Sequence, residues 1–345
     1  MTDTAAPAGG LSAGRAENGK EGCIMKFMDV KSTGCTLKLS KIAKGADHFG
    51  VTIPKERAFA LMDRYLELGG NVIDTARLYG RARPFDAEFA HSEPIVGEWL
   101  RTRRNRDQVI LVTKGAHPVI EDISKRRVNP ECIADDLEMS LKALGVDYVD
   151  IYFLHRDDPE KPVSEIMDAL DEHVKAGKIR AIGASNWTCA RIDEANAYAR
   201  AHGKTPFAIS QIQWCAAYVK PNAWPDPTIV SMNETEYAGY IKNGLPVMAF
   251  SPQANGYFSK LIAGEPLKQK YMERYDCPEN RRRLEHIRAL CKKTGKSPAA
   301  VSLAYITSNR VPGCAIIGCS TVEQLEDSMS DSDLTLTEAD CAALV

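Results

Sequence analysis

Residues 129–158 read NPECIADDLEMSLKALGVDYVDIYFLHRDD, and this stretch decides the fold. Asn129 before Pro130 is a helix N-cap followed by a first helical residue. Ile133, Leu137 and Leu141 then fall on one helical face, and Gly145 ends the helix. Four residues later VDIYFL begins an apolar, β-branched run with no polar alternation after Asp150. Such a run predicts a strand buried on both faces, the condition of a parallel sheet covered by helices. The same unit recurs on both sides. Pro162–Ala176 carries Ile166, Leu170 and Val174 and ends at Gly177, and Pro54–Leu68 carries Ala58, Leu61, Met62 and Tyr65 and ends at Gly69-Gly70.

Strand-like runs occur at Ser40–Lys44, Asn71–Ala76, Val109–Lys114, Val149–His155, Ile179–Ser185, Ala208–Trp214, Pro246–Ser251 and Cys314–Gly318. Strands alternating with helices predict an α/β fold with a parallel sheet. An open doubly wound sheet would carry GxGxxG after its first strand if it bound a dinucleotide, and none is present. The reading is a (β/α)8 TIM barrel, a closed eight-stranded parallel sheet with outer helices. One domain is expected over residues 25–345, preceded by a disordered tail at 1–24 rich in Ala, Gly and small polar residues. An insertion, about Gln253 to Cys277, follows strand seven as an expected lid or cofactor clamp.

Composition limits the function. The 44 Lys+Arg against 46 Asp+Glu, a formal charge of -2, give no reason to expect nucleic acid or an anionic membrane. The Arg101–Arg106 and Arg281–Arg283 clusters lack aromatic interleaving and read as solvated helix faces. The ten cysteines form no CxxC pair; residues 1–22 contain no apolar run, so no secretory leader is expected, and no apolar run reaches membrane length. A reduced, cytoplasmic setting is expected. No metal is expected, because the seven histidines show no HxH or HExxH spacing.

In such a barrel the chemistry gathers at the C-terminal strand ends. Those ends hold Asp74 and Tyr79, Lys114, and His155. Carbonyl reduction needs a proton on oxygen as well as hydride at carbon. A phenol is a weak acid, so a neighbouring ammonium is expected to lower its pKa, a carboxylate to hold that ammonium, and a histidine to orient the carbonyl oxygen. Singly, each has a plainer reading: Asp74 as a helix cap, Lys114 as a solvated lysine, His155 as a loop histidine. Their joint occurrence in this order outweighs those readings.

GGNVIDTARLYG, ILVTKG and VDIYFLHRDD together resemble the aldo-keto reductase family over residues 36–330. The resemblance implies an NAD(P)H-dependent oxidoreductase reducing an aldehyde or ketone. In it Tyr79 is the proton donor, Asp74 and Lys114 tune it, and His155 positions the substrate oxygen. It further implies that Ser185, Asn186 and Gln211 hold the nicotinamide carboxamide and that Phe250 lies against the ring. Gly45 and Ala46 after the first strand, and Ser251, Pro252 and Lys260 after the seventh, join the cofactor contacts. IGCSTVEQLEDS at 317–328 matches the adenosine-phosphate motif and contributes Gly318, Ser320, Thr321, Gln324, Asp327 and Ser328. Thr321-x-x-Gln324 or Ser320-x-x-Glu323 is a candidate capping box there. Where many members grip the 2′-phosphate with lysine and arginine, this chain has Gly318 and Gln324. The motif is similar to that of the potassium-channel β-subunit branch, which implies NADP and leaves NAD open.

A cofactor-binding regulatory subunit with vestigial turnover is the competing reading. A metal-dependent isomerase or hydrolase on the same barrel would need several ligands at adjacent strand ends, where only His155 stands. Asp47, His48, Arg156, Asp157 and Asn255 point to a hydroxylated substrate; Trp187, Trp214, Trp224 and Phe258 suit an aromatic one. His48, His91, His117, His173 and His286 read as structural.

Overall fold

A computed structural model describes residues 24–80 and 91–345. The expected tail therefore lies outside the described residues, apart from Ile24. An antiparallel hairpin, β1 (Phe27–Ser32) and β2 (Cys35–Ser40), comes first and turns at Gly34, whose φ of 79° suits glycine. Eight parallel strands follow: β3 (Ile42–Gly45), β4 (Val72–Asp74), β5 (Ile110–Gly115), β6 (Val149–Leu154), β7 (Ile179–Ser185), β8 (Ile209–Gln213), β9 (Val247–Phe250) and β10 (Gly313–Ile317). They pair in chain order, and β10 closes on β3 to complete the barrel. The TIM-barrel expectation holds.

Between the strands run α1 (Lys55–Glu67), α2 (Ser92–Arg103), α3 (Pro130–Leu144), α4 (Val163–Lys175), α5 (Cys189–Ala201) and α6 (Glu234–Asn243). The β9–β10 connection is longer, with α7 (Tyr257–Ala263), α8 (Gln269–Tyr275), α9 (Pro278–Thr294) and α10 (Pro298–Thr307); α11 (Val322–Met329) and α12 (Glu338–Ala342) end the chain. Helix α3 starts as its sequence requires: Asn129 Oδ1 accepts from the Cys132 N–H, and Gly145 closes the other end at φ 66°. Among the described residues no helix is long and apolar enough to cross a membrane.

Side-chain alternation divides the core in two. Val72, Val112, Ile151, Phe153, Ala181, Ile209, Met248 and Cys314 fill the barrel interior together with Val30, Leu37 and Leu39 of the hairpin. The hairpin thus plugs the N-terminal mouth. Leu111, Tyr152, Leu154 and Ile182, one residue out of phase, pack outward against the helices. Gly183 belongs to the inner set, where a Cβ would come within 2.4 Å of the Phe153 ring.

Candidate active site

The inward phase continues to the open end of the barrel and changes character there. Two residues beyond Val72 stands Asp74, two beyond Val112 Lys114, two beyond Phe153 His155, and two beyond Ile209 Gln211. The top interior layer is therefore polar because the apolar inward positions below it run out. Tyr79 joins from the loop after β4, with its N–H bonded to Ala76 O.

Lys114 is the hub. Its Nζ lies 2.7 Å from Asp74 Oδ2, 2.9 Å from Thr75 O and 3.1 Å from Tyr79 Oη. All three ammonium protons are thereby spent. Asp74 Oδ1 accepts from Gln211 Nε2 at 3.0 Å. The His155 ring meets the Tyr79 ring edge to face at 5.7 Å and the His117 ring at 4.9 Å. His155 Nδ1 is enclosed without a partner among the described residues, so Nε2 is the nitrogen that faces open space.

Burial governs the protonation states. It pushes the Tyr79 phenol well above its ordinary value, the Asp74 and Asp47 carboxylates push the same way, and Arg156 opposes them. The expected lowering by Lys114 does not prevail at rest, because burial outweighs it and the phenol stays protonated. Burial also pulls Lys114 down against the pull of Asp74, and raises Asp74 against that of Lys114. His155 is held well below its usual value by burial first, then by His117, Arg156 and Lys114. The cluster is an ion pair beside a neutral phenol and a neutral imidazole.

A cavity of about 970 Å³ opens over this layer and extends to the start of α11. Of the residues expected to hold a cofactor, Gly45, Ser185, Asn186, Gln211, Phe250, Ser251, Pro252, Lys260, Gly318, Gln324, Asp327 and Ser328 line it. Ala46, Ser320 and Thr321 do not. Ala46 is buried, and its backbone bonds Asp74 O and Phe49 N. Thr321 caps α11 by accepting from Gln324 N, while Gln324 Oε1 accepts from Ser320 N and Oγ at 3.0 Å. The expected capping box is thus split across two residues. Asn186 sits at φ 58°, donating to Ser185 Oγ and His155 O and accepting from Val230 N. The shape fits an extended dinucleotide. The cavity is continuous from Tyr79 to α11, and at Gly318 an added Cβ would meet nothing within 4 Å.

The first half of the insertion, from Gln253 to Glu265, lines the cavity; α8 does not. Phe250 is braced by Trp224 at 6.2 Å, and Trp224 in turn by the Arg274 guanidinium at 3.6 Å. Trp187, Trp214 and Phe258 are core residues rather than mouth residues. Asp157 also lies off the cavity, 3.6 Å from Arg191. His48 and His117, read from sequence as structural, line the cavity. The missed signal at His117 was its place three residues beyond Lys114, in the loop leaving the end of β5.

Fold and site together define a (β/α)8 enzyme with Asp74, Lys114, Tyr79 and His155 gathered at the mouth of its barrel. The chain belongs to the aldo/keto reductase family, whose sequence model matches residues 41–345. It is 30% identical over 336 residues to norsolorinic acid reductase stcV of Emericella nidulans, covering 91% of this chain and 80% of that protein. An uncharacterized oxidoreductase, YrpG of Bacillus subtilis, is 30% identical over 90% of this chain and 92% of its own. The aryl-alcohol dehydrogenase [NADP(+)] of Phanerodontia chrysosporium is 32% identical over 52% of this chain and 49% of its own. This protein is accordingly an oxidoreductase of a family typically dependent on NAD(P)H.

Proposed function

We propose that this protein reduces an aldehyde or ketone to an alcohol with NADPH, using Tyr79 as proton donor. The observation that carries the reading is the Asp74–Lys114–Tyr79 chain, with contacts of 2.7 and 3.1 Å, ending at the cavity. A bound nicotinamide supplies the hydride. Tyr79 gives its proton to the carbonyl oxygen, and the Lys114 ammonium, already at hydrogen-bond distance, stabilises the phenolate as it forms. Asp74 holds the ammonium, and His155 Nε2–H donates to the same oxygen. In oxidation Tyr79 takes the proton back.

Ser185, Asn186 and Gln211 are assigned to the carboxamide, Phe250 to the ring face, and Gly45, Ser251, Pro252 and Lys260 to the pyrophosphate side. Gly318, Gln324, Asp327 and Ser328 are assigned to the adenosine end, with α11 offering free N–H groups near phosphate. Ser320 and Thr321 act there through Gln324 and the helix cap, and Ala46 through its backbone. The NADP named for the Phanerodontia relative supports that cofactor. Asp47, His48 and Asn255 around the cavity support a polar, hydroxylated substrate.

Steady-state NADPH and NADH oxidation against a panel of aldehydes and ketones tests the reading. Tight cofactor binding with no turnover on any of them would favour a regulatory role instead.

A further inference from the structure

His117 carries a feature that the reductase reading leaves unused. Its Nδ1 lies 2.7 Å from Pro118 O. A carbonyl oxygen only accepts, so Nδ1 bears the proton and Nε2 a lone pair. The ring stays neutral at physiological pH, because burial and then Arg156 press its pKa down to about 4. Nε2 makes no hydrogen bond among the described residues and is not enclosed, and His117 lines the cavity beside His155. The two rings sit edge to face at 4.9 Å. A fixed acceptor thus stands next to the donors Tyr79 Oη and His155 Nε2.

We propose that His117 selects carbonyl compounds bearing a hydroxyl on the adjacent carbon, accepting that hydroxyl at Nε2 while Tyr79 and His155 hold the carbonyl oxygen. This rests on the reductase reading above. The physical reason is asymmetry. A substrate without the hydroxyl covers Nε2 and leaves it unpaired, and a buried polar group left unpaired costs more than a made bond returns. Arg156 does not compete for the role. Its guanidinium is occupied by Asp226, Thr228 and His155 O.

The test compares α-hydroxyacetophenone with propiophenone, which differ by a hydroxyl in place of a methyl. Initial rates with NADPH are measured for wild type, His117→Phe and His117→Gln, and cofactor fluorescence reports whether each variant is folded. The kcat/KM ratio of hydroxylated to plain ketone should fall about tenfold in His117→Phe, the worth of roughly one neutral hydrogen bond. His117→Gln, which restores an acceptor oxygen, should recover most of that ratio. An unchanged ratio in His117→Phe overturns the proposal and leaves the reductase reading standing. No turnover of any carbonyl by wild type would overturn both.

Discussion

Gln211 and Asp74 stand on opposite sides of the barrel, and the amide of one donates to the carboxylate of the other at 3.0 Å. With Lys114 on its second oxygen, Asp74 has a protein donor on each side and is locked in the barrel mouth. The carboxylate is thus set to neutralise Lys114.

Breaking that arrangement should cost stability as well as rate. Asp74→Ala leaves the Lys114 ammonium buried without its counter-charge. Loss of one member of a buried pair costs roughly 3–5 kcal/mol. Chemical denaturation should show that fall in wild type against variant; a loss under about 1 kcal/mol would mean that Lys114 sheds its proton instead.

Tyr79→Phe removes one hydroxyl and keeps the ring, so folding and cofactor binding should persist. Single-turnover hydride transfer should drop by about 10²–10⁴. Lys114→Met should act in the same direction, and the double variant should be little worse than the worse single, since members of one unit are not additive. Near-normal transfer in Tyr79→Phe would remove the phenol from the mechanism.

Gln324→Arg should raise NADPH affinity relative to NADH by about 1–3 kcal/mol, through charge-assisted bonds to the 2′-phosphate. The change also frees Ser320 N and Oγ, which Gln324 now satisfies. Titration with both nucleotides reads the preference directly. If it does not move, Gln324 is not at the phosphate.

His117 gives a pH signature. Its pKa is depressed from 6.5 to about 4 in the folded protein, so on acidification the unfolded chain takes the proton first. Its stabilising contribution is complete above the unfolded value and is lost as pH falls from 6.5 toward 4, by about 3 kcal/mol in all. Asp157, raised to about 6, works oppositely by binding its proton first in the folded state. The readout is therefore a difference. Urea midpoints taken near neutrality and near pH 5 should fall less in His117→Gln than in wild type. Parallel slopes would exclude His117 as the titrating group.

The barrel was legible because its signals are local. Caps such as Asn129, stops such as Gly145 and apolar runs such as VDIYFL depend only on near neighbours in the chain. The sequence by itself also determined the order Asp74, Tyr79, Lys114, His155, since strand ends follow from strand positions. The plugging hairpin went unread, because an alternating run as short as 27–40 does not reveal what its inner face covers. Only the tertiary structure decided that Tyr79 is held protonated by burial and that Gln211 anchors Asp74 from 137 residues away. It alone decided that Gln324 turns to Ser320, that Trp187 and Trp214 are core, and that His117 lines the cavity with its Nδ1 tied to Pro118 O. Desolvation and tautomer state are properties of an enclosing shell, and that shell is assembled from residues the chain keeps far apart until it folds.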